Sequence, residues 1–206
     1  MKRIILSKLK NKKDNNKTGK TICVTAVSPK LGCTFFSLAL ANFIASCLRE
    51  NVIYIELKEE SSLLGLVGEN QISIGQRIGY SYKGVKYILT NDIEEVAEIL
   101  ARERGYIVVD LGVLNSSTAA VLNKCKNKII IGSFMPWQRR NFHEFIRKNI
   151  YKKYDMETIH FCQLCRDKKG EQFFYKTYGC RLFNLPKIDN PFSLKEENFE
   201  DLMNFL

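Results

Sequence analysis

Apolar residues along this chain fall into two alternating rhythms. Short, β-branched runs read as buried strands: Thr21 to Val27 (TICVTAV), Val52 to Glu56, Tyr106 to Asp110 and Lys128 to Gly132. Helical patterns come between them. Phe35 to Leu48 repeats Leu38, Ala41, Ala45 and Leu48 at helical spacing, and Ile93 to Arg104 is amphipathic up to a glycine stop at Gly105. Gly75 to Leu89 alternates through Tyr80, Tyr82, Val85 and Tyr87, which predicts a hairpin turning at Lys83-Gly84. A helix over Gln138–Ile150, a strand over Thr158–Leu164, a helix over Gly170–Tyr178, a strand over Arg181–Leu185 and a last helix from Ser193 complete the chain. Strands alternating with helices predict an α/β fold, with a mostly parallel sheet covered by helices on both faces in a Rossmann-like three-layer arrangement. Ligands of such sheets sit beyond the carboxyl ends of the strands, so chemistry is expected in the loops after Val27, Glu56 and Asp110.

Charge divides the chain. Residues 1–20 hold eight Lys and Arg and one Asp, so they carry +7 of the net +10, and residues 21–206 carry only +3. The first stretch reads as a basic arm and the second as one domain, with 45% apolar residues over the whole chain, enough to build a core. Lys2, Arg3, Lys8, Lys10, Lys12 and Lys13 make the arm a candidate contact for DNA or an anionic membrane surface. Ile5, Leu6 and Leu9 fall on one helical face among those lysines, a small apolar stripe that suits peripheral attachment at the inner face of a membrane. No apolar run reaches the ~20 residues of a spanning helix. Only Ile4-Ile5-Leu6 forms an apolar run between Arg3 and Lys8, so no signal peptide is expected. Seven cysteines, an odd number scattered through strand-like and helix-like segments, suggest reduced thiols and a cytoplasmic protein.

The loop Ser28-Pro-Lys-Leu-Gly-Cys-Thr34 stands between a strand and a helix, the setting of a phosphate-binding loop. The chemistry asks for backbone N–H groups aimed at an anion on a helix N-terminus, a lysine for the β- and γ-phosphates, and a Ser or Thr for magnesium. Gly32 and Thr34 meet two of these demands. Cys33 occupies the lysine position, and Val27 the first glycine of G-x-x-x-x-G-K-[ST].

Val24 to Ile44 (VTAVSPKLGCTFFSLALANFI) resembles the opening of the MinD/ParA family of P-loop ATPases, with its deviant K-G-G-x-G-K-[ST] loop and Leu-Ala-Asn-rich helix. Val52 to Leu57 resembles the family's second strand ending in D-x-D, and YIVVDLG, Tyr106 to Gly112, its D-x-x-[GP] strand end. The close, NLPKIDNPFSLKEENFEDLMNFL, is similar to the last strand, loop and helix of the pilus-assembly (CpaE/TadZ-like) branch. The resemblance implies a P-loop NTPase-like domain binding ATP and magnesium. Its cofactor residues would be Lys30, Gly32, Cys33, Thr34, Glu56, Asp110 and Gly112, with Thr34 and Asp110 on the metal. It also implies protein partners in a localisation or assembly system, and a homodimer.

Several family positions are substituted. The signature lysine aligns with Ser28, two glycines with Pro29 and Lys30, the phosphate lysine with Cys33, and the water-orienting aspartate with Lys58. Phosphoryl transfer depends on positioning and charge neutralisation, which these changes remove. The expectation is a non-hydrolysing or weakly active scaffold, plausible in pilus or secretion assembly. Its rivals are a genuine ATPase using Lys30 and Asp110, and a DNA-binding partition-like module.

Three other groupings carry weaker chemistry. His160, Cys162, Cys165 and Cys180 have a zinc-like composition, but strand alternation turns Cys165 away from the other two, and they read as buried small residues. Arg139 and Arg140, opening a basic helix beside Trp137, offer a contact for a nucleic-acid backbone or simply a solvated face. Cys33 at a helix N-terminus invites a thiolate reading, with a small residue tolerated in a spent site as the plainer one.

Overall fold

Among the residues described by the computed structural model, 20–206, nine strands form one sheet. In chain order the elements are β1 (Lys20–Ala26), α1 (Cys33–Phe43), β2 (Val52–Leu57), α2 (Leu64–Val67), β3 (Gln71–Ile74), β4 (Arg77–Tyr82), β5 (Val85–Thr90) and α3 (Ile93–Arg102). There follow β6 (Tyr106–Val113), α4 (Ala119–Lys124), β7 (Asn127–Gly132), α5 (Arg139–Phe145), β8 (Ile159–Gln163), α6 (Lys168–Tyr178), β9 (Leu182–Asn184) and α7 (Glu197–Met203). The sheet order is β3-β4-β5-β2-β6-β1-β7-β8-β9. Every pairing is parallel except β3 with β4 and β4 with β5.

The fold is the α/β fold expected, and its layers follow from side-chain alternation. Val24, Tyr54, Val108 and Ile129 point to one face, where α1 and α7 cover them. Cys23, Ile55, Val109 and Ile130 point to the other, under α3, α4, α5 and α6. The α7 helix is pinned to α1 by Phe36 against Phe205 and Phe43 against Phe199, with ring centroids 5.1 and 5.5 Å apart.

Register places the functional end. In parallel pairing Glu56 stands beside Asp110, and Asp110 beside Val24, so the carboxyl ends of the three central strands are level. A bulge between Val24 and Ala26 shifts the β1–β6 register where the chain leaves the sheet.

Some elements differ from the sequence pattern. The first helix starts at Cys33 and winds its last turn, Ile44–Leu48, as a π-helix. The hairpin expected at Lys83-Gly84 is present as β4–β5 and gains a third strand, β3. Helices α2 and α4 are too short for a periodic signal. One expectation is corrected: Cys23 and Cys125 are paired as a disulfide, their Cα atoms 5.9 Å apart, because the β1–β7 pairing sets the two segments side by side. Cys33, Cys47, Cys162, Cys165 and Cys180 take no part in a disulfide. Among the described residues no helix is long and apolar enough to cross a membrane.

Candidate functional site

The loop between β1 and α1 ends on an uncapped helix N-terminus. Gly32 is the N-cap of α1 with φ 81°, a left-handed conformation that glycine adopts without steric cost, and no side chain caps the helix. The first-turn N–H groups are therefore left for a ligand or solvent. Lys30 has a positive φ of 64° and is exposed at the loop apex. Thr34 is half-buried in the first turn.

Cys33 turns inward. Its Sγ donates to Asp110 Oδ1 at 3.0 Å, beneath the loop rather than above it. Asp110, only 1% exposed, is surrounded by donors: the Gly112 N–H reaches the same oxygen at 2.9 Å, and the Tyr54 hydroxyl donates to Oδ2 at 3.1 Å. Gly112 takes φ 58°, which bends its N–H back onto the carboxylate two residues earlier. Glu56, also buried, accepts a hydrogen bond from the Ser61 hydroxyl. Its Oε1 has no hydrogen-bond partner among the described residues.

The electrostatics follow from this crowding. Burial, then the charge of Asp110 and the hydrogen bond to it, push the Cys33 thiol well above its ordinary value. It is a neutral hydrogen-bond donor, which removes the thiolate reading. Burial likewise raises Tyr54, with Asp110 and Glu56 adding to it. Glu56 is raised by burial, opposed by the Ser61 hydrogen bond, raised further by Asp110 and lowered by Lys58.

Above this network lies a cavity of about 430 Å³ bounded by Ser28 to Phe35, Leu57, Lys58 and Leu111 to Val113. A second cavity, about 610 Å³, adjoins it across Leu57 and Lys58 and reaches Asn91, Asn115 and Thr118. Gly32, Cys33, Thr34 and Gly112 thus meet at one place, with Asp110 directly below and Lys30 and Lys58 at the rim. Arg139 and Arg140 lie elsewhere, at the start of α5: Arg139 reaches Asp167 at 3.5 Å and Arg140 pairs with Glu144 at 2.8 Å. The arm's Lys2, Arg3, Lys8, Lys10, Lys12 and Lys13 fall outside the described residues. Cys162 is buried in β8, Cys165 is exposed in the loop after it, and His160 packs against Phe183 and Phe205. Sequence reasoning missed Tyr54 and Ser61. The trace of Tyr54 was a hydroxyl-bearing ring two residues before Glu56, hence on the same strand face.

No protein-family model and no curated protein matches the chain. Solved structures do. A ParA family ATPase from Chlorobium tepidum TLS superposes with TM-score 0.63 at 12% identity, over 91% of this chain and 90% of that one. A plasmid partition protein from Borrelia burgdorferi B31, bound to AMPPNP, gives 0.60 at 15% identity over 92% and 97%. The Aquifex aeolicus MinC:MinD cell division complex gives 0.50 at 12% identity over 80% and 68%. At such identities the likeness is one of fold: this chain has the α/β fold of ParA- and MinD-type P-loop ATPases.

Proposed function

We propose that this protein is a positioning factor of the ParA/MinD type whose nucleotide loop no longer supports hydrolysis. It acts as a non-hydrolysing scaffold that locates protein partners of a localisation or assembly system. The observation that carries this is the Cys33–Asp110 hydrogen bond. Where the fold's relatives are expected to present a cation to phosphate, this chain presents a neutral thiol, and that thiol faces down onto the carboxylate.

ATP with magnesium, implied by the fold, fits the anion half of the site better than the metal half. The uncapped α1 N-terminus, the cavity above it and the rim lysines Lys30 and Lys58 suit phosphate. A metal at Asp110 would have to displace donors from a carboxylate whose oxygens already accept from Cys33, Gly112 and Tyr54. No hydrolytic step is derived through it. Losing one charge-assisted phosphate contact costs roughly 1.5–3 kcal/mol of binding, about 10- to 150-fold in affinity.

Calorimetric titration with Mg-ATP, paired with a phosphate-release assay, tests the reading. Weak or absent binding without turnover is the expected result. Micromolar binding with steady phosphate release, abolished by Lys30→Ala, would replace the scaffold with a working ATPase.

A further inference from the structure

Four neighbouring strands, β6, β1, β7 and β8, run parallel, so the loops at their carboxyl ends open on one edge of the sheet. Each of those ends exposes a large apolar side chain: Val113 at the end of β6, Phe35 in the first turn of α1 after β1, Met135 and Trp137 after β7, and Leu164 after β8. Trp137 is 73% exposed. The loops adjoin. Leu164 lies 3.9 Å from where a side chain on Gly32 would begin, and Arg139 after β7 reaches Asp167 after β8. Exposed apolar side chains gathered along one edge mark a contact surface.

The charge around this row is mostly positive. Lys30, Arg139, Arg140, Arg166, Lys168 and Lys169 are exposed beside it, and the nearby acids Asp167 and Glu144 are engaged by Arg139 and Arg140. The acids Glu59 and Glu60 follow β2, which borders the row only at its β6 end, away from Met135, Trp137 and Leu164. We propose that this edge docks on an anionic lipid bilayer, with Trp137, Met135 and Leu164 entering the headgroup boundary and the surrounding cations facing lipid phosphates. Tryptophan favours that boundary, where its ring is half in apolar surroundings and its N–H half in water. A second copy of the chain would bring the same cations face to face. Duplex DNA would satisfy the cations but give Met135, Leu164 and Val113 nothing apolar to cover them. The proposal extends the positioning role above by naming the surface, and the experiment contains no nucleotide, so it succeeds or fails separately from the scaffold reading.

Trp137 is the sole tryptophan of the chain, so its emission reports this edge alone. The full-length protein is mixed with vesicles of phosphatidylcholine, with or without phosphatidylserine, and sedimentation is read beside the tryptophan spectrum. Docking predicts sedimentation with a blue shift on the phosphatidylserine vesicles, both reversed by salt. Leu164→Asp, which keeps the reporter, removes most of the shift. Arg140→Gln with Lys169→Gln weakens vesicle binding about fivefold for each charge removed, and these exposed side chains leave the fold intact, as far-ultraviolet dichroism checks. Sedimentation with an unshifted spectrum would assign attachment to residues 1–19 and overturn the proposal. A shift with duplex DNA but not with vesicles, or with protein concentration alone, would overturn it in favour of a nucleic acid or a second copy.

Discussion

Tyr54→Phe is the sharpest probe of the network beneath the loop between β1 and α1. The change removes one oxygen and leaves the ring, which packs on Tyr87 with centroids 5.4 Å apart. The lost oxygen is the one that donates to Asp110 Oδ2 at 3.1 Å. Asp110 is 1% exposed, so water cannot replace that donor cheaply. A hydrogen bond to a charged group contributes about 1.5–3 kcal/mol, and stranding its buried partner costs a similar amount. For a domain of this size each kcal/mol moves the midpoint by about 2–4 °C, so a fall of roughly 3–12 °C is expected in thermal unfolding followed by circular dichroism. Tyr87→Phe is the matched control. Its hydroxyl is also buried and faces Asn42, but makes no hydrogen bond of ordinary geometry, so its loss is neutral or mildly stabilising. If both variants unfold within about 0.5 kcal/mol of the parent, Asp110 is not held as described, and the account of a carboxylate locked away from metal collapses.

Three further outcomes follow from the same site. On the proposed reading, Cys33→Lys places a cation at the start of α1 and is expected to tighten ATP binding at least tenfold in calorimetry; unchanged affinity would count against Cys33 as the reason for weak binding. Glu56 has a raised native pKa, so the folded state holds its proton longer than the unfolded chain does. Stability therefore declines as pH rises from the ordinary value of 4.5 through the native value, and Glu56→Gln flattens that slope in urea titrations at a series of pH values. Thiol labelling of the native protein without reductant is expected to reach exposed Cys165 first. Cys180, pushed up to about 11 by burial, should lag, and buried Cys33 and Cys162 should react only on unfolding. Rapid modification of Cys33 would contradict its inward orientation.

Much of the framework was legible in the residues. Runs such as Val52–Glu56 and Tyr106–Asp110 announce buried parallel strands because both of their faces are covered; the helix before the second ends at Arg102, just ahead of the glycine stop at Gly105. The α3 helix is equally plain, with Asp92 accepting from the N–H groups of Glu94 and Glu95 at its start. Strand β3 was hidden, since Gln71–Ile74 spans four residues and its pairing with β4 is a matter of register. The Cys23–Cys125 pair was hidden as well, because 102 residues separate partners that only sheet pairing brings together.

The sequence by itself determined the order of the longer strands and helices, the site of the loop at Ser28 to Thr34, and the cysteine at the end of that loop. These are properties of neighbouring residues, expressed through periodicity and local geometry. Tertiary structure alone decided what that cysteine does. Cys33, Tyr54 and Asp110 are 77 and 56 residues apart in their hydrogen-bonded pairs, and no local pattern fixes such contacts. They meet because the parallel register levels β2 with β6 and α1 lies across both, closing a buried space in which a carboxylate must find donors. A cysteine in a loop motif thereby becomes the lid on an aspartate.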